Sequence, residues 1–213
     1  MAKFDSTAFT RLYASFGNLT VYNANGVDIL KKKVTKIKNP RTIEQLKQRY
    51  RFVVINNLAY AFGRAIAIGL AGKPVEMSVV NYFAHINKNA VRVTDELEAE
   101  IVFSDLLVAK GNRAMPDEIT LTHDAEKGGF TLTMEMDEFM PHAAADDQFY
   151  CCAYEKAKGR CRLISLGERA KLASLTFNLP DKWDVTPENL AFYVFCVSKD
   201  HKRAGTSVYV TMK

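Results

Sequence analysis

Beyond Arg92 the spacing of apolar residues changes from about 3.6 to about 2 residues per repeat, and this change constrains the fold more than any other feature. The later half holds seven candidate strands, at 118–123, 130–136, 148–155, 161–166, 172–179, 191–198 and 207–212. Phe130-Thr-Leu-Thr-Met-Glu-Met alternates clearly, as does Ala173-Ser-Leu-Thr-Phe-Asn-Leu. Turn-forming residues separate the runs: Gly128-Gly129, Lys158-Gly159, Pro180-Asp181, Pro187 and Gly205. Short strands punctuated in this way predict an all-β sandwich, immunoglobulin-like or fibronectin type III-like, over 116–213. The stretch Phe192-Tyr-Val-Phe-Cys-Val followed by Thr206-Ser-Val-Tyr-Val is similar to the last hairpin of a fibronectin type III module. Trp183, in the preceding loop, is expected as a core plug.

The front half reads differently. Leu19 to Tyr22 and Val27 to Leu30 flank Asn25-Gly26, residues that tolerate the positive φ of a tight hairpin. The basic run 31–38 continues the second strand, and Asn39-Pro40 breaks it. Thr42 is a helix N-cap, with Gln45 three residues on. Ile43, Leu46, Tyr50, Val53, Val54, Leu58, Ala61 and Phe62 follow at helical spacing and predict a buried stripe. Lys47, Arg49 and Arg51 avoid that stripe and predict a basic outer face. Ser78 begins a second helical pattern that runs to Asn89. The expected fold is therefore an α+β N-terminal module (β-ribbon plus two helices) over 1–92, a connector at 93–115, and the sandwich at 116–213. Residues 98–110 would form a strand pair or part of the connector.

Charge is distributed as unevenly as periodicity. Residues 1–92 hold 15 Lys and Arg against 4 Asp and Glu, whereas the remainder holds 14 against 20. Within 31–52, nine basic residues face one glutamate. Lys31, Lys32, Lys33, Lys36, Lys38, Arg41, Lys47, Arg49 and Arg51 are thus the candidate contacts to a protein partner or a polyanion. Tyr22, Tyr50 and Phe52 interleave with them in the manner of a base-stacking surface. Against this stand two plainer readings: a solvated helix face, and an edge strand guarded by lysines. Tyr50 falls on the apolar stripe and is expected in the core.

No motif predicts catalysis. His85, His123, His142 and His201 are scattered and match no metal-ligand spacing. Pro141-His-Ala-Ala-Ala-Asp-Asp147 gathers one histidine and two carboxylates, but in a segment that reads as a solvated loop. The four cysteines form no CxxC pair, and Cys151 and Cys152 on one strand would face opposite ways. They are expected as reduced thiols, some in the core. No cofactor or metal is expected. The N-terminus lacks the apolar core of a secretory signal, and the longest apolar run contains Arg64 and is too short for a bilayer. The expected location is the cytoplasm or a virion, with no membrane contact.

Several segments together resemble a known family: Gly17-Asn18-Leu-Thr-Val-Tyr22, Asn25-Gly26-Val-Asp-Ile-Leu-Lys31, and Asn39-Pro-Arg-Thr42 with Gln45, Arg49 and Phe52. The chain is similar to a family of uncharacterised domains found mainly in gut bacteria and their mobile elements, which also shares the Leu107–Gly111 element. The resemblance implies a two-part architecture with a fibronectin-like C-terminal sandwich, and it implies no catalytic residues. The function expected is a non-enzymatic structural or assembly protein, a phage or prophage virion component docking through its basic module. Other protein subunits, including copies of itself, would be the partners. The alternatives are a nucleic-acid-binding protein using the 31–51 segment and a surface adhesin or glycan-binding module.

Overall fold

The computed structural model describes residues 2–4, 14–24, 26–33, 41–124, 128–135 and 140–212. It is an α+β protein whose sheets are mainly antiparallel. The first sheet is small: β1 (Ala2–Phe4), β2 (Ala14–Phe16), β3 (Leu19–Ala24) and β4 (Val27–Lys32), in the order β1-β4-β3-β2. β3 and β4 form the expected hairpin, pairing Ala24 with Val27. Gly26 adopts φ 82° and donates its N–H to Asn23 Oδ1 at 3.0 Å, which locks the turn. Asn25 lies outside the described residues.

Among the described residues three α-helices follow, where the sequence predicted two: α1 (Ile43–Ala61), α2 (Gly63–Gly69) and α3 (Val79–Ile86). Thr42 caps α1, its hydroxyl accepting from the Gln45 N–H at 3.4 Å. Ser78 caps α3 in the same way through the Asn81 N–H at 3.1 Å. α1 and α2 meet at Phe62 with a bend of 86°. Among the described residues, no single helix is long and apolar enough to cross a membrane. A two-stranded hairpin, β5 (Val91–Val93) with β6 (Ala99–Ile101), packs beside α1.

The remaining strands make two facing sheets. β7 (Glu118–Asp124), β8 (Gly129–Glu135) and β11 (Ser174–Phe177) form one, ordered β11-β8-β7. β9 (Gln148–Glu155), β10 (Arg160–Glu168), β12 (Leu190–Val197) and β13 (Val208–Val210) form the other, ordered β10-β9-β12-β13. Each strand falls within one of the sequence-predicted runs or overruns it by no more than two residues at either end. β11 and β13 each occupy half of their runs.

Every residue of β12 is buried, because its sheet is covered on both faces. Leu190, Phe192, Val194 and Cys196 face the three-stranded sheet, with Phe130, Leu132, Phe149 and Cys151. Ala191, Tyr193, Phe195 and Val197 face the helices, with Phe62, Ile66, Leu70 and Phe83. The helices of the front half therefore share a core with the strands of the later half. Cys151 and Cys152 belong to different cores, as their alternation requires. Trp183 packs against the core between the sheets, and the Arg160 guanidinium lies 5.6 Å from its ring centre.

The Leu107–Gly111 element runs between α2 and the start of β13. Asn87, buried past the end of α3, accepts from the Leu107 N–H at 2.7 Å and donates to the Leu107 carbonyl at 2.9 Å. Ser207 Oγ accepts from the Val108 N–H at 3.0 Å. Two glycines permit this threading. A Cβ on Gly69 would lie 2.6 Å from Ala109 Cβ, and one on Gly111 would lie 2.0 Å from the Ala204 carbonyl oxygen.

Candidate docking face

Helix α1 carries apolar residues on both its inward and its outward side, and Phe52, exposed by 50%, falls at the margin of the inward one. At about 100° per residue, Ile55, Leu58, Ala59 and Phe62 cluster on one side. That side is buried against α3, β5 and the sheet. Tyr50, Val53 and Tyr60 fall on the opposite side, at spacings of three and seven, with Leu46 and Asn57 completing the row. They are exposed by 40%, 51% and 74%, and Ile43 at the helix start by 43%. This corrects the expectation of a single buried stripe that included Ile43, Tyr50 and Val53. Tyr50 is not a core residue. Periodicity identified the helix but could not choose which of two apolar sectors meets the sheet.

The basic residues are arranged differently from the expected outer face. Lys47 turns inward, its side chain only 17% exposed, and pairs with Glu44 at 3.2 Å and with Asp95 in the β5–β6 turn. Those carboxylates, Asp95 foremost, hold its ammonium pKa above the ordinary lysine range. Lys47 therefore ties α1 to the neighbouring hairpin. Arg51 is half-buried, and its Nη1 donates to Gln48 Oε1 at 3.4 Å. Arg49 is exposed and borders the outward row, next to Tyr60 in angle on the side away from Val53. Arg41 is exposed in a left-handed conformation, φ 51°, immediately before the cap.

Lys31, Lys32 and Lys33 are exposed at the end of β4. β4 lies between β1 and β3, so its Asp28 to Leu30 stretch is inner rather than edge. β1 pairs with Asp28 to Leu30, so Lys31 and Lys32 extend past its described end while pairing with Thr20 and Leu19 of β3. The Lys31 ammonium sits 4.9 Å from the Tyr22 ring centre, a cation–π contact within the ribbon. Lys36 and Lys38, with Val34 and Ile37, lie outside the described residues.

The 141–147 cluster is not simply a solvated loop. His142 and Asp146 are exposed, but Asp147 is fully buried. Its carboxylate lies 3.6 Å from Arg113 Nη1 and 3.5 Å from Arg169 Nη2, and accepts from the Ala144 N–H at 3.0 Å. The pairing of an acid with two arginines across distant segments had no local sequence signal. Among the described residues, no group of three His, Cys, Asp or Glu side chains is placed to hold a metal ion. The histidines stand on separate elements, His85 on α3 and His123 on β7, where it stacks on Phe130 at 4.6 Å.

A family model described as a family of unknown function (DUF6266) matches residues 12–211. The chain belongs to this family. No match was found among curated proteins. The DUF6266 match begins before β2 and ends within the last described residues. It therefore takes in the ribbon, the helices and both facing sheets together. The expectation of an uncharacterised domain family is met on that evidence.

Proposed function

We propose that this DUF6266 chain is a non-enzymatic structural or assembly protein that docks onto another protein subunit through the outward face of α1. The observation that carries the reading is the row Tyr50, Val53 and Tyr60, left exposed on a helix whose opposite face is already buried. Isolated exposed apolar residues are ordinary, but a row with two tyrosines and a valine aligned on one helix matches helix-in-groove recognition. Arg49 beside the row and Arg41 at the helix start favour a partner whose apolar groove is rimmed by acidic residues. The two facing sheets supply a rigid support. Their strand orders support a fibronectin type III-like sandwich: β7, β8 and β11 stand as strands A, B and E. β10 pairs with β9 rather than joining the opposite sheet, unlike the immunoglobulin constant arrangement. A phage or prophage virion is the setting proposed, on the resemblance to mobile-element proteins.

Site-specific photo-crosslinking from position 53 or 60 in the native host tests the reading. The expected product is one discrete protein adduct, diminished by Arg49→Glu. Adducts to nucleic acid, or none, would overturn it. Binding of duplex DNA with a log-affinity slope near −0.9 per phosphate contact against log salt would instead favour a polyanion role for Lys31 to Lys33.

A further inference from the structure

Cys152 and Cys161 bring their sulfur atoms to 2.9 Å across β9 and β10. The register opposes Cys161 to Tyr154 and Cys152 to Leu163, so the two cysteines are diagonal neighbours on the sheet face that carries the helices. Their surroundings differ. Cys152 is fully buried. Cys161 is half-buried and opens onto a cleft of about 560 Å³ at the α1–α2 bend, lined also by Tyr60, Arg64 and Arg162. Cys151 and Cys196 point into the other core, between the facing sheets, and are screened from the pair by the sheet itself.

We propose that Cys152 and Cys161 are a peroxide-responsive thiol pair, with Cys161 the sulfur that meets the oxidant and Cys152 the sulfur that resolves it. A hydroperoxide such as hydrogen peroxide enters the cleft. The Cys161 sulfur attacks one oxygen; an S–O bond forms, the O–O bond breaks, and a sulfenic acid and water result. The Cys152 sulfur then attacks the Cys161 sulfur, an S–S bond forms, and the hydroxyl leaves as water with the thiol proton. Two thiols and one peroxide become one disulfide and two waters. The sulfurs need only close from 2.9 Å to about 2.05 Å. Burial favours the second step over escape, because the nearest nucleophile to a sulfenic acid at Cys161 is Cys152 rather than bulk thiol. The cross-link would tie β9 to β10 directly beneath Phe62, which packs on the intervening Tyr154. Oxidation at the cleft is thereby coupled to the helical layer. This inference is independent of the docking role.

The test is oxidation of the reduced full-length chain with hydrogen peroxide, followed by alkylation after denaturation and tandem mass spectrometry that fragments between Cys151 and Cys152. The expected result is an intrachain Cys152–Cys161 linkage, two hydrogens lighter, with Cys151 and Cys196 still alkylated. In the native reduced protein, Cys161 should alkylate at least ~10-fold faster than Cys151 or Cys196, since reactivity follows access. Cys161→Ser should abolish the linkage. Cys152→Ser should leave a sulfenic acid at position 161 that dimedone captures. Linkage through Cys151 or Cys196, linkage between chains, or Cys161 driven to sulfinic acid while Cys152 stays alkylatable would each overturn the proposal. Should Cys152→Ser fail to fold, the wild-type map and Cys161→Ser decide the matter alone.

Discussion

Phe62 stacks on Tyr154 with ring centroids 4.8 Å apart, and meets the edge of Tyr193 at 5.7 Å. The first residue sits at the bend between two helices; the others lie on adjacent strands of the doubly covered sheet. This cluster joins the helical layer to the β scaffold.

Truncating Phe62 therefore tests whether the two layers unfold together. Phe62→Ala should cost ~3–5 kcal/mol, through lost burial and the cavity left behind. Urea unfolding followed by far-UV and near-UV signals should show one shifted transition. Two separated transitions, with the β signal unmoved, would mean that the helices are an independent unit.

The two faces of α1 should respond in opposite ways. Leu58→Ala, on the inward face, should destabilise by ~2–5 kcal/mol. Tyr50→Ser, Val53→Ser and Tyr60→Ser, on the outward face, should each stay within ~0.5 kcal/mol of the parent. The triple outward variant should nonetheless lose the crosslinked partner. A large stability loss at Val53 or Tyr60 would show that the outward row is structural.

Asp147 is buried between two guanidinium groups, so its removal leaves positive charge without a counter-ion. Asp147→Ala should destabilise by ~3–5 kcal/mol. Replacing Asp146, one residue earlier and exposed, should change stability by less than ~0.5 kcal/mol. Thermal denaturation of the two variants side by side distinguishes a structural triad from a dispensable surface cluster.

Alkaline pH should weaken the fold before it affects most surface groups. Burial pushes the Cys196 thiol up to about 11, and the same cause raises Cys151 and Cys152. The folded state therefore keeps protons that the unfolded chain releases near its ordinary thiol pKa of ~8.5. Stability is full below that value. It falls as pH rises toward 11, by ~1.4 kcal/mol per pH unit for each such group. Urea midpoints at pH 7, 9 and 10.5 should decline, and Cys196→Ala should flatten the decline. A profile that stays level to pH 10.5 contradicts the assignment.

Much of the scaffold was legible because its signals are local. The Asn25-Gly26 hairpin, the Thr42 and Ser78 caps and the strand runs each rest on a few neighbouring residues. The double covering of β12 had a signal too, since Leu190-Ala-Phe-Tyr-Val-Phe-Cys-Val is apolar without alternation. Lys47 illustrates what was not legible. Its partner Asp95 is 48 positions away, and nothing near Lys47 distinguishes an inward lysine from a solvated one. The inner position of β4 is of the same kind, because the strand that covers its outer edge comes from the chain's first residues.

Sequence alone determined many of the elements: where α1 and α3 start, where the β3–β4 hairpin and the strands of the facing sheets run, and which half carries the positive charge. These depend on backbone preference and on periodicity, which act over a few residues. Only the tertiary structure decided which apolar sector of α1 is consumed and which is left outward, and that Asp147 is enclosed by arginines. Those outcomes follow from packing between surfaces remote in the chain, where burial is gained by whichever faces fit, and a linear pattern does not record the fit.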